Sequence, residues 1–297
     1  MRYVQLRAFH HVAICGGFSR AAEELRLTQP AISDQVRKLE DEYDVMLFNR
    51  HKKQVTVTAA GERLLAVTRR LFDCEAQALE LLSESRALRA GTLRIVADSA
   101  HHLLHILAAF RQSYPGVRVA VRSGNSETVV ESLFRYEADI GVLGEVPESR
   151  NVDALRLDST PIVAFVAATH PLAERTGLAL AELAHLPLVF REAGSKTRKK
   201  LVAAASAAGV DLLPAIEAEG REAVREIVAS GAGVGFVSEA EFGNDPRLHK
   251  MVLEDAPELM MDEAMICLRE RRNSKLVRAF FRIARKSLPA TKQTETS

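Results

Sequence analysis

FSRAAEELRLTQPAISDQVRKL, running from Phe18 to Leu39, decides the fold of the N-terminal part of this chain. The Ser19 hydroxyl is placed to cap a short helix carrying Ala21, Ala22 and Leu25 on one face, with Phe18 stapling its entry. After Arg26 and Leu27, Thr28 is the next N-cap, and Pro30 falls in a first turn, where a missing amide hydrogen costs little. On this second helix Ile32, Val36 and Leu39 recur at spacings of four and three, so they face a core. Gln29, Ser33 and Arg37 share another face, which fits a DNA major groove: Gln pairs with adenine, Ser adapts, and Arg takes guanine or phosphate. Pro30 and Asp34 complete the candidate contact set. Asp34 is an acid on a helix meant to approach phosphates, so it either accepts from a cytosine amino group or turns away.

Outward from this pair, LFNRHKKQVTVTAAG follows at Leu47. Val55 and Val57 alternate with Thr56 and Thr58, and Arg50, His51, Lys52 and Lys53 crowd what reads as a hairpin tip. Arg50, Lys52 and Lys53 are therefore candidate phosphate grips. A small helical domain with solvated charges is the plainer reading of residues 18–58. Cap, proline, polar face and basic wing agree with one another, and together they favour a winged helix-turn-helix on duplex DNA.

From Ala59 to about Leu88 there is no proline, and Gly61 lies in the first turn, which predicts one long helix. Leu64, Leu71 and Ala78 repeat every seven residues beside Leu65, Phe72 and Leu79, a stripe that fits pairing with a second copy. Recognition helices of this kind work as pairs on pseudo-palindromic half-sites.

Residues 1 to about 60 resemble the DNA-binding domain of LysR-type transcriptional regulators. The resemblance is carried by AAEEL at Ala21, TQPAIS at Thr28, RKLE at Arg37, LFNR at Leu47 and TAAG at Thr58. It implies promoter DNA and a small-molecule effector as partners, and a homodimer or homotetramer.

Composition sets the bounds. With 297 residues, 47% of them hydrophobic, the chain buries more than one core, and 40 basic against 39 acidic residues exclude a generally basic nucleic-acid coat. Cys15, Cys74 and Cys267 lack paired spacing, which fits a reducing compartment and gives no metal site. The opening MRYVQLRAFHHVAICGG reads as an amphipathic helix rather than a signal peptide, and no stretch approaches a membrane span, so a cytoplasmic protein is expected. The polar tail at 291–297 is expected to be disordered.

From Gly91 strands alternate with helices: TLRIVA, His101 to Tyr114, VRVAVRS, Ser126 to Glu137, ADIGVLG, then a second series from PIVAFVA. The expected fold class is α/β, with an N-terminal all-α winged helix-turn-helix domain (1–58), a long linker helix (59–90) and a two-lobed effector domain (91–290) like periplasmic binding proteins. Lobe I takes about 91–160 and 268–290, lobe II about 161–267, with a crossing near Ser159 to Pro161. Ligands of such folds sit where strand ends and helix N-termini converge. The candidate effector residues are Asp98, Ser99, Ala100, Asn125, Ser126, Thr128, Arg191, Ser195, Thr197, Arg221 and Glu222. The plainer reading makes each Ser or Thr a helix cap and each charge a solvated one.

Both signs of charge surround this cleft, which fits a zwitterion. REAGSKTRK at Arg191, EGREAVREIVASGAGVGFVSEAEFG at Glu219 and CLRERR at Cys267 resemble the LysR branch associated with 2-aminoethylphosphonate catabolism. An amino-phosphonate effector is what that resemblance implies. The competing class is a solute-binding or enzymatic α/β module with an incidental DNA tether.

Other signals carry no function at this level. His101 and His105 are spaced by four without a neighbouring third ligand, so no metal is expected, and no cofactor. Gly231, Gly233 and Gly235 precede a strand, the reverse of a dinucleotide loop, and Ser195 lacks a nucleophile elbow. Catalytic residues are therefore not expected, and the chain does not read as an enzyme.

Overall fold

The computed structural model describes residues 1–51, 54–82, 91–145 and 149–288. The chain divides into two compact units, Met1–Ser83 and Glu84–Ser297. The tail at 291–297 and the end of the linker at 83–90 lie outside the described residues.

The first unit packs α1 (Tyr3–Cys15), α2 (Phe18–Leu25) and α3 (Gln29–Tyr43) against the antiparallel hairpin β1 (Phe48–His51) and β2 (Gln54–Val57), followed by α4 (Ala59–Leu82). Ser19 is not the cap of α2. Gly16 turns left-handed (φ +67°), Gly17 takes the N-cap position with no side-chain cap, and Ser19 falls inside the helix. Thr28 does cap α3, its Oγ1 accepting from the Ala31 amide at 3.4 Å, with Pro30 in the first turn. Ile32, Val36 and Leu39 are buried with Phe9, Val12, Ala21, Leu47 and Phe48. The buried Glu40 carboxylate accepts from the Leu47 and Phe48 amides (2.8 and 3.2 Å), which ties the end of α3 to the start of the hairpin. A Cβ on Gly61 would stand 2.3 Å from the Leu47 carbonyl oxygen, so the first turn of α4 requires a residue without a side chain there.

On α4 the heptad stripe splits. Leu65 is buried, and Phe72 lies against the His10 ring (centroids 4.6 Å apart), while Thr68 Oγ1 hydrogen-bonds His10 Nδ1 at 3.1 Å. Leu71, Ala78 and Leu79 remain exposed.

The second unit begins with β3 (Thr92–Ala97), a 3-10 turn (His101–Leu103), α5 (Leu104–Ser113), β4 (Arg118–Ser123), α6 (Ser126–Phe134), β5 (Ile140–Leu143) and the sixteen-residue β6 (Val152–Ala167). It continues through β7 (Gly177–Leu178), α7 (Leu180–Leu183), β8 (Leu188–Arg191), α8 (Lys196–Ala207), β9 (Pro214–Ala218), α9 (Arg221–Ala229), β10 (Gly235–Ser238) and α10 (Glu239–Phe242). Strands β11 (Leu248–Leu253) and β12 (Met260–Leu268) and the helix α11 (Lys275–Ser287) close it. In the first lobe β3 lies parallel between β4 and β5, and β12 pairs antiparallel with β5 and β6. In the second, β6 pairs antiparallel with β10 and β11, while β8 and β9 form a short parallel sheet.

Strand β6 is one of the crossings: residues 152–161 pair with β12, and residues 162–167 pair with β10 and β11. The return crossing lies near Met260 rather than at 267–268, because Ala264, Met265 and Ile266 pair with Leu143, Val142 and Gly141 and so complete the first lobe's sheet. Each lobe has its own core, around Ile95, Phe110 and Phe280 in the first and Phe190, Leu201 and Met251 in the second.

Candidate functional site

Two surfaces carry the chemistry. On α3, Gln29, Pro30 and Arg37 are exposed and Ser33 is half-buried. Asp34 does not confront phosphate alone: its carboxylate is paired with Arg37 at 3.2 Å and Lys38 at 2.7 Å. The Lys38 hydrogen bond, foremost, holds the Asp34 carboxyl below its ordinary range. Lys52 and Lys53 lie outside the described residues, and so does the side chain of Arg50.

In the second unit a cleft of about 370 Å³ opens between the lobes. Its first-lobe wall is built by Asp98, just after β3, and by the start of α6. Asn125 Oδ1 accepts from the Thr128 amide at 3.0 Å, and Thr128 Oγ1 accepts from the Asn125 amide at 2.9 Å, a reciprocal cap. Ser126 Oγ donates to Asp98 at 3.1 Å. The opposite wall presents Arg191 from the end of β8 and Arg221 and Glu222 from the start of α9. Arg191 Nη1 donates to Asp98 Oδ1 at 2.8 Å and Nη2 to Glu192 at 2.8 Å, and Glu192 accepts from the Gly220 amide at 3.0 Å. Gly220 precedes α9 at φ +79°, and that helix start has no side-chain cap. The lobes also approach closely at Gly194, where a Cβ would meet the side-chain Nδ2 of Asn125 at 2.3 Å.

The cavity is not lined by Ser99, Ala100, Ser126, Ser195 or Thr197. Ser99 is buried and accepts from the His101 amide, and Ala100 is exposed at the head of the 3-10 turn. Ser195 is fully buried and caps α8 through the Arg198 amide, and Thr197 is buried against the Met261 sulfur. For these hydroxyls local capping and packing is the role the structure displays. Glu192, one of the carboxylates the sequence already places around the cleft, lines it, and so does Glu219, which carries no sequence cue.

Beside the cleft lies a cluster with no local sequence signature. His102 Nε2 stands 3.6 Å from Glu241 Oε1 and 3.7 Å from Glu263 Oε1, and all three side chains are buried. Arg221 Nη2 bonds the other Glu241 oxygen at 2.9 Å and reaches Asp98 at 3.6 Å, joining cluster to cleft. Burial, its largest influence, and the neighbouring Glu241 charge push the Glu263 carboxyl up to about 7. Burial alone would lower His102 and raise Glu241. Their mutual attraction, with Glu263 acting on His102 and Arg221 on Glu241, reverses both directions, so His102 lies above and Glu241 below its ordinary value.

A winged helix-turn-helix unit and a two-lobed unit with a charged, metabolite-sized cleft define a ligand-responsive DNA-binding regulator. The chain belongs to the LysR family: residues 3–62 match the bacterial regulatory helix-turn-helix protein, lysR family, and residues 86–289 match the LysR substrate binding domain. It is a regulator and not an enzyme, in line with its relatives. It is 35% identical over 236 residues to the RuBisCO operon transcriptional regulator of Allochromatium vinosum, covering 79% of this chain and 78% of that protein. It is 33% identical over 255 residues to the HTH-type transcriptional regulator CfxR of Cupriavidus necator, covering 84% and 80%. The fold is similar to that of full-length OxyR from Pseudomonas aeruginosa (TM-score 0.80, 21% identity, 100% and 99% covered). It is also similar to that of full-length CbnR complexed with its target DNA (TM-score 0.68, 21% identity, 96% and 99% covered). The branch resemblance to 2-aminoethylphosphonate catabolism has no counterpart in these names; the curated relatives above include a RuBisCO operon regulator instead. Among the described residues no helix is long and apolar enough to cross a membrane.

Proposed function

We propose that this regulator binds pseudo-palindromic promoter DNA as a homodimer or homotetramer in the cytoplasm, reading bases with Gln29 and Ser33 and holding phosphates with Arg37, Arg50, Lys52 and Lys53. Exposed Leu71, Ala78 and Leu79 on α4 support the pairing. Replacing Leu71 and Leu79 together by Glu halves the mass seen by light scattering; unchanged mass would remove α4 from the interface.

The observation that carries the effector reading is the cleft's mixed charge, with Asp98 on one wall and Arg191, Glu192, Arg221 and Glu222 on the other. A ligand bearing an anionic group and an amine meets both signs, the anion at the uncapped start of α9 and the amine at the carboxylates. 2-Aminoethylphosphonate has this chemistry. Titration calorimetry with it and with ethylphosphonate, which lacks the amine, is the test: heat with the first alone supports a zwitterion, and heat with neither rules out this class.

A second reading has a specific observation behind it. The 35% identical relative is named for the RuBisCO operon, which favours a carbon-fixation operon as the target. Footprinting upstream of the RuBisCO genes and of phosphonate-utilisation genes separates the two, since only one protected region is expected.

A further inference from the structure

We propose that His102, Glu241 and Glu263 form a binding site for one divalent first-row transition-metal ion, such as Zn²⁺ or Mn²⁺, buried at the junction of the two lobes. The three residues offer one imidazole nitrogen and two carboxylate oxygens, with the ligand atoms all within 4.8 Å of one another. Two donors about 2.1 Å from a tetrahedral zinc ion stand roughly 3.4 Å apart, and the His102 separations of 3.6 and 3.7 Å come close to that edge. These distances are too long for hydrogen bonds. Among the described residues, His102 Nε2, Glu241 Oε1 and Glu263 Oε2 have no hydrogen-bond partner, although buried polar atoms are nearly always satisfied. An ion bound by His102 Nε2, Glu241 Oε1 and both oxygens of the Glu263 carboxylate, whose Oε1 is the one facing His102, would account for all three.

The surroundings fit a cation. Arg221 engages Glu241 Oε2 and leaves Oε1 for the site, as outer partners do around metal ligands. The mix of imidazole and carboxylate, with no thiolate in the set, selects borderline ions over soft ones such as Cu⁺. The ligands come from three places: His102 from the 3-10 turn of the first lobe, Glu241 from α10 of the second, and Glu263 from β12, which runs between them. A bound ion would therefore cross-link the lobes beside Arg221 and Asp98.

The test uses untagged full-length protein. After dialysis against micromolar Zn²⁺ or Mn²⁺ and then metal-free buffer, elemental analysis should find about one ion per chain in the wild type. His102→Ala and Glu263→Gln should each lower retention at least tenfold, while His101→Ala and His105→Ala, which alter exposed histidines, should not. Gel shifts on a bound promoter fragment show that the variants remain folded. Should a variant fail to fold, Co²⁺ added to the wild type decides instead, since an ion in this low-symmetry site gives intense visible d–d bands that Zn²⁺ displaces. Retention unchanged in His102→Ala and Glu263→Gln, or a wild type with neither retained ion nor cobalt bands, overturns the proposal.

Discussion

Asp98 Oδ1 and Arg191 Nη1 lie 2.8 Å apart, one at the end of a first-lobe strand and the other at the end of a second-lobe strand, with side chains only 6% and 8% exposed. A buried pair of this kind is held by mutual dependence, since removing one partner leaves the other charged and desolvated. Asp98→Asn should lower stability in urea by about 3 kcal/mol. Joined with Arg191→Met it should cost less than the sum of the two single changes. Additive effects in that double-mutant cycle would show that the two side chains do not act together.

Asp34 is engaged with Arg37 and Lys38, so it competes with DNA phosphates for two cations. Asp34→Ala should raise affinity for random-sequence duplex and steepen its dependence on log salt concentration by roughly one to two. Discrimination between operator and random DNA should fall, because phosphate contacts add affinity without sequence information. Fluorescence anisotropy across a salt series measures both quantities. A slope equal to that of the wild type would place Arg37 and Lys38 off the backbone.

His10 joins α1 to α4 through Thr68, and burial, aided by His11 and Arg69, lowers its pKa from 6.5 to about 4. Its folded value is depressed, so the unfolded chain takes up the proton first as pH falls. The stability involved is present above about pH 6.5 and is lost as the pH drops toward 4. The loss should reach about 2 kcal/mol by pH 5. Urea midpoints of the wild type and His10→Phe compared between pH 7.5 and 5 isolate this contribution, because the remaining ionisations are shared. Parallel pH profiles would mean that His10 titrates normally.

Local sequence was enough wherever the decisive interactions are local. The Thr28 cap, Pro30, the buried Ile32–Val36–Leu39 face and the alternation of lobe strands depend on neighbours a few residues away, and each can be read along the chain. Misreadings arose where a local signal had a competitor: Ser19 gave way to the Gly16–Gly17 turn, and Ser195 was absorbed as a cap. Strand β11 has a weak local signal because His249 and Lys250 interrupt its apolar run.

The family, the recognition helix and the two-lobed plan follow from sequence by itself, since periodicity, capping and motif spacing are properties of short windows. Tertiary structure alone decided which charges meet. Asp98 finds Arg191 across 93 residues, and His102 is brought to Glu241 and Glu263. The physical reason is that ion pairing in a desolvated interior depends on separations of a few ångströms, and those are set by how the crossing strands β6 and β12 join the two lobes.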